Sequence, residues 1–147
     1  MWISTGRPGA VARIAGGKEY PCLYGTVKLY PRGKQVLVVA EICGLPKSET
    51  GFFALHIHEG TSCDGSGFSD SGGHFNPHNF PHPCHAGDLP NLLCSHGGAF
   101  MAVLTDRFTI PQVLGKTVII HSRPDDYRSQ PSGDPGSKIA CGILCSC

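Results

Sequence analysis

Hydrophobic and polar positions alternate in short runs along this chain, and the runs predict its elements. Residues 23–32 (LYGTVKLYPR) and 34–44 (KQVLVVAEICG) are rich in Val, Leu, Ile and Tyr and are joined through PRGK, which predicts a β-hairpin. In GFFALHIHEG, Phe53, Leu55 and Ile57 fall on one face of an extended strand, and Ala54, His56 and His58 on the other. Residues 99–110 (AFMAVLTDRFTI), 116–122 (KTVIIHS) and 138–144 (KIACGIL) predict further strands. GGKEY and GLPKSE read as turns. No segment follows a helical period, and no internal repeat is visible.

Two stretches break this pattern. About forty residues rich in Gly, Ser, Pro, His and Asp connect the strand ending near His58 to the one starting near Ala99, and so long a connection is either functional or disordered. Its low charge and its metal-competent side chains argue for function. The second stretch, residues 122–137 (SRPDDYRSQPSGDPGS), separates the last two strands.

Composition narrows the reading. The chain has 147 residues, which suits one domain over 1–147, and its 20 Gly and 12 Pro between short apolar runs favour an all-β, loop-rich architecture. Charged residues make up 16% and the net charge is +1, unlike the basic surface of a nucleic-acid binder, so no nucleic-acid partner is expected. No apolar run approaches the roughly 18 residues of a membrane span, so no membrane association is expected. The N-terminal MWISTGRPGAVARIAGG lacks the apolar stretch of a secretory signal; the expected location is the cytoplasm unless residues upstream of Met1 have been removed. The eight cysteines (Cys22, Cys43, Cys63, Cys84, Cys94, Cys141, Cys145 and Cys147) include no CxxC pair, and the chain is too long for a small disulfide scaffold. Most are expected to be reduced, with room for one specific bridge that composition alone does not choose.

The histidines carry the chemistry. Seven of the eight lie between positions 56 and 96, and the eighth, His121, ends a strand. A lone histidine is more often a hydrogen-bonded surface or core residue than a ligand. That reading fails for an HxH pair on one strand face followed by HFNPHNFPHPCHAGD, residues 74–88. Imidazoles with a carboxylate suit copper or zinc rather than magnesium or calcium, which take oxygen shells.

FALHIHEG, GGHFNP, HAGDLPNL, GKTVIIH, PDD and GSKIACGI occur in the order found in copper–zinc superoxide dismutases, and over about residues 10–144 the chain resembles the bacterial, short-loop members. The resemblance implies a Greek-key, immunoglobulin-like β-sandwich or flattened barrel with two long functional loops. It implies copper ligands at His56, His58, His74 and His121, with His74 bridging to a zinc held also by His85 and Asp88. The fourth zinc position, eight residues after the bridging histidine, is His82. Here the sequence departs from the usual pattern, because only Pro83 and Cys84 separate His82 from His85. His78 stands as a rival ligand, and Cys84 as a weaker one.

By the same resemblance, Asp125 accepts hydrogen bonds from one copper and one zinc histidine. Its structural alternative is a turn cap after Pro124, and Asp126 has no assigned role. Cys63 and Cys141 match the family's intrasubunit disulfide. Lys138 occupies the place of an arginine that guides the anionic substrate, keeping the charge but losing the forked geometry. Cys145 and Cys147 form a CxC tail that either captures copper or is an ordinary exposed end. The implied activity is superoxide disproportionation to O2 and H2O2 by copper redox cycling, with His74 as a zinc-supported proton source. The rival is a non-catalytic copper- and zinc-binding or copper-delivery protein, a class that typically lacks copper ligands present here. The family includes monomers and dimers, so a homodimer stays open.

Overall fold

The computed structural model describes residues 6–147; the first five residues of the N-terminal stretch discussed above lie outside the described residues. The strands are β1 (Ala10–Gly16), β2 (Tyr24–Arg32), β3 (Gln35–Cys43), β4 (Phe52–Phe53), β5 (Leu55–His58), β6 (Leu92–Leu93), β7 (Ala99–Thr105), β8 (Thr117–His121) and β9 (Lys138–Ser146). A 3-10 turn spans Ser66–Ser71, and one short helix, α1, spans Ile110–Val113. No helix among the described residues is long and apolar enough to cross a membrane.

Seven strands form one antiparallel sheet in the order β5-β8-β9-β1-β2-β3-β7. At one edge β4 runs directly into β5; at the other, β6 leads through a tight turn bridged at Ser95 and Gly98 into β7. The β4–β6 ladder, with Phe52 opposite Leu93 and Phe53 opposite Leu92, joins these edges, so the sheet curls into a flattened Greek-key barrel. Closure leaves few free strand edges for unwanted pairing.

Every second side chain fills the interior. Ala10, Ala12 and Ile14 of β1, Val27 and Leu29 of β2, Leu55 and Ile57 of β5, and Val118 and Ile120 of β8 are buried in one apolar cluster. All four residues of β5 and all five of β8 are buried, because the long loops cover the outer face of both strands. His56, His58 and His121 project onto that covered outer face, with their apolar neighbours holding the strands from inside. The β8–β9 ladder has a bulge between Ile120 and His121, so Ile120 faces Ala140 but His121 faces Lys138.

The hairpin read from the sequence is present, with its turn tightened to Gly33 and Lys34 and the left-handed backbone supplied by Gly33 at φ 62°. Two expectations need correction. GFFALHIHEG is not one strand: Ala54 leaves the ladder, donating to the Arg123 carbonyl at 2.9 Å and accepting from His121 N–H at 2.9 Å. The strand over 99–110 ends at Thr105, because Thr109 and Gln112 form a capping box and Pro111 opens α1 instead of extending a ladder. Strand β1 is not among the strands predicted from the sequence: AVARIAG is short and rich in Ala, so its strand character comes from burial between β2 and β9, not from propensity.

Candidate metal centre

Strand period 2 places His56 and His58 side by side, and β8 ends at the same level with His121, one residue beyond the Leu55–Ile120 pair. The long loop returns to β5 through a bridge between His58 and His74 and another between His56 and Asp88. Two groups result: His56, His58, His74 and His121, and His74, His82, His85 and Asp88, each with its ligand atoms within 4.8 Å of one another. His74 belongs to both.

The hydrogen bonds fix which ring nitrogens remain free. A carboxylate only accepts, so His56 donates from Nε2 to Asp125 Oδ2 at 2.8 Å and His82 from Nε2 to Asp125 Oδ1 at 2.7 Å. Each ring then keeps Nδ1 as its bare nitrogen. His58 donates from Nδ1 to the Gly72 carbonyl at 2.7 Å, which leaves Nε2 bare and 3.2 Å from His121 Nε2. In the second group, His74 Nδ1 lies 3.1 Å from His85 Nδ1 and 2.9 Å from Asp88 Oδ1. His82 Nδ1 lies 3.1 Å from Asp88 Oδ2, at an angle that forms no hydrogen bond.

Buried donors and acceptors are normally paired, and those that are not require an explanation. Among the described residues, His56 Nδ1, His74 Nε2, His82 Nδ1, Asp88 Oδ1 and His121 Nδ1 are buried without a hydrogen-bond partner. Ring nitrogens and a carboxylate oxygen that approach within 3.1 Å repel wherever no proton lies between them, and a cation placed among them would be their common partner. The donor sets, four imidazoles in one group and three imidazoles with a carboxylate in the other, fit copper and zinc. His56, His82 and Asp125 also converge, but both Asp125 oxygens are spent on the two rings, so this third group is a hydrogen-bonded brace.

Burial favours the neutral form of His56, His58, His85 and His121, the form that binds metal. Burial brings the His58 pKa down to about 2 and that of His121 down to about 3, with neighbouring rings and Lys138 pushing the same way. Burial also lowers His56, against the opposing hydrogen bond to Asp125, and lowers His85. Burial alone would raise Asp125; the hydrogen bonds from His56, His82 and the Tyr127 amide outweigh it and bring the carboxyl down to about 2.

His78 is exposed and belongs to neither group, and Cys84 is exposed as well; His82, 3% exposed, stands among the second group. The compressed gap closes because Arg107 Nη1 reaches across from the end of β7 to the carbonyls of Pro83 at 2.7 Å and His85 at 3.3 Å. Asn91 clamps the backbone of Asp125, accepting from its N–H at 2.9 Å and donating to its carbonyl at 3.0 Å. Neither residue stands out in the sequence, since an isolated Arg or Asn in a loop carries no positional signal. Asp126 accepts from the amides of Arg128 and Ser129 and from the Ser129 hydroxyl, capping its own turn.

Cys63 and Cys141 are joined in a disulfide that ties the long loop to β9. Cys22, Cys43, Cys84, Cys145 and Cys147 are free and exposed, and Cys94 is free and half-buried. Lys138 donates from Nζ to Ser71 Oγ and to the Gly72 carbonyl, both at 2.8 Å, and its pKa is lowered by burial. Gly72 thus accepts from both Lys138 and His58.

A closed Greek-key barrel carrying two histidine-rich groups that share one ring defines a binuclear metalloprotein. The profile described as "Copper/zinc superoxide dismutase (SODC)" matches residues 23–144, and the chain belongs to that family. It is 33% identical over 135 residues to "Superoxide dismutase Cu-Zn 2" of Aquifex aeolicus, covering 82% of this chain and 78% of that protein. It is 30% identical over 152 aligned positions to the "Superoxide dismutase Cu-Zn" of Caulobacter vibrioides, covering 92% and 83%. Similarity extends to the "Superoxide dismutase-like protein YojM" of Bacillus subtilis, at 37% over 114 residues, 67% of this chain and 57% of that protein.

Proposed function

We propose that this protein is a superoxide dismutase, converting two superoxide anions and two protons to O2 and H2O2. The observation that carries the reading is His74, whose Nδ1 faces one ligand group while its Nε2 lies free and buried beside the other. His56, His58, His74 and His121 would hold copper, and His74, His82, His85 and Asp88 zinc. When bound, copper supplies one-electron exchange and zinc a redox-inert charge that fixes ligand geometry.

The chain's own residues do the rest. His74 Nε2 holds and delivers a proton, while Nδ1 stays with the second group and keeps the ring in place. Asp125 fixes the tautomers of His56 and His82, so that each neutral ring carries its proton on Nε2 and turns the lone pair of Nδ1 toward the ligand group. Lys138 attracts and docks the anion. An ammonium has three donors; Ser71 and Gly72 take two, and the third is left for substrate. Cys63–Cys141 anchors the loop that presents Ser71 and Gly72.

The complete four-histidine group favours the enzyme over a metal-delivery protein. The test is superoxide consumption by protein reconstituted with copper and zinc, with His56→Ala as control. Copper-dependent turnover abolished in His56→Ala is expected; no copper-dependent turnover in the wild type would sink the reading. We also propose a homodimer, supported by Phe52 and Leu93, cross-strand partners, and Phe100 on the adjoining β7, exposed by 40%, 56% and 62%. Sedimentation should show a dimer that Phe100→Glu dissociates; a monomer at all concentrations would refute it.

A further inference from the structure

Gln130 carries no metal-binding atom, yet it grips His82 by the backbone. Its Oε1 accepts from His82 N–H at 3.0 Å, and its Nε2 donates to the His82 carbonyl at 2.6 Å and to the Arg128 carbonyl at 3.1 Å. A primary carboxamide holds a donor and an acceptor on one plane, and so can pair with both main-chain groups of one residue. Among the described residues, no main-chain group pairs with His82 N–H or C=O, so Gln130 supplies what secondary structure would elsewhere.

The need arises from the short loop. Between His82 and His85 stand only Pro83, which has no N–H, and Cys84, whose N–H turns back to the Pro81 carbonyl at 2.8 Å. The turn shapes the segment and Arg107 holds the carbonyls of Pro83 and His85, but neither hydrogen-bonds to His82 itself. The second loop does, at three points: Asp125 on ring Nε2, and Gln130 on N–H and C=O. A ring tethered at Nε2 alone could pivot; with the backbone held as well, Nδ1 keeps its aim toward Asp88.

We propose that Gln130 is a positioning residue for the zinc half of the centre, holding His82 in ligand geometry in a loop too short to do so itself. The proposal rests on the reading that the second group takes zinc. It extends that reading to a residue outside the ligand set.

Zinc affinity, measured by competition with a chromophoric chelator, and the visible absorption of cobalt bound in place of zinc test it on the full chain. Gln130→Ala is expected to weaken zinc about 10- to 100-fold, the usual cost of losing a residue that orients a ligand, and to alter the cobalt bands. Gln130→Glu, nearly isosteric, keeps an acceptor but sets a carboxylate oxygen against the His82 and Arg128 carbonyls where a donor stood, and is expected to weaken zinc at least as much as Gln130→Ala. It also decides the matter if Gln130→Ala does not fold. A purely structural contact would lower the melting temperature of the metal-free variants and leave zinc affinity and cobalt bands at wild-type values; that result would overturn the proposal. Wild-type protein that binds no zinc would remove the reading beneath it, a failure visible before any substitution is made.

Discussion

On the proposed reading, Lys138 would meet superoxide with a point charge where a forked cation would give two parallel contacts. Lys138→Arg is expected to raise the rate of superoxide consumption. Lys138→Gln should lower it about tenfold and flatten its dependence on ionic strength, since steering of an anion is screened by salt. An unchanged rate and salt profile in Lys138→Gln would show that the charge does not guide substrate. A second residue-scale prediction concerns Gly133, whose φ of 84° suits glycine and whose Cβ, if present, would overlap Asp125 Oδ1 and stand 2.6 Å from His82 Nε2. Gly133→Ala should destabilise the fold by about 1–3 kcal/mol in urea titrations, through overpacking and backbone strain at the brace. At this scale the sequence was informative about residue types and less so about partners. The HxH pair and HAGD are visible as chemistry, but the choice between His78 and His82 depends on which ring the second loop covers. The family spacing, eight residues after His74, points to His82, and the second loop's cover is the physical reason that spacing itself does not contain. Gln130 and Arg107 are invisible for the same reason: they act on backbone groups, which leave no side-chain signature opposite them.

The elements that were legible are those whose order comes from packing an apolar face. β2, β3 and β8 are apolar, β-branched runs bounded by turn residues, distinct enough to be read at nearly their true bounds. The loops between the strands draw their order from hydrogen bonds, the disulfide and ligand geometry, none of which follows a period. The element-scale prediction follows from that difference. Cys63 and Cys141 are 78 positions apart, and their bond joins the long loop to β9. Cys63→Ser should cost about 2–4 kcal/mol of stability, measured by chemical unfolding. It should also slow superoxide consumption in protein that remains folded, because the released loop carries Ser71 and Gly72 away from Lys138 and His58. A variant with wild-type turnover would show that the loop is held by its other contacts alone.

For the whole molecule, the metal-free protein is a barrel whose stability depends on keeping several imidazoles neutral. His58 and His121 titrate near 2 and 3 when folded, against an ordinary value of 6.5. As pH falls below 6.5 the unfolded chain takes up protons that the folded chain refuses, so stability present above that value is lost down to about pH 3. Asp125, near 2 against an ordinary 3.8, adds a further loss from about pH 4 downward, because its bonds to His56 and His82 need the carboxylate. Chelator-treated protein should therefore show a urea midpoint that drops between about pH 7 and about pH 5. An unchanged midpoint would mean that the rings can be protonated in place. Adding zinc and copper should raise the melting temperature and make it depend on free metal concentration, as any ligand of the native state does.

The bulge between β8 and β9 can also be understood as a phase shift. Ala140, Gly142 and Leu144 share one parity along β9, and Ala140 and Leu144 pack in the core, so an unbroken strand would turn Lys138 inward with them. The extra residue, Ile139, is itself absorbed into the core and resets the alternation, so that Lys138 emerges opposite His121. One strand thereby keeps two calendars, one for the interior and one for the metal centre, separated by a single residue. Deleting Ile139 would leave Lys138 opposite His121 on the outer face in regular register, and would instead take from the core the side chain that the extra residue supplies.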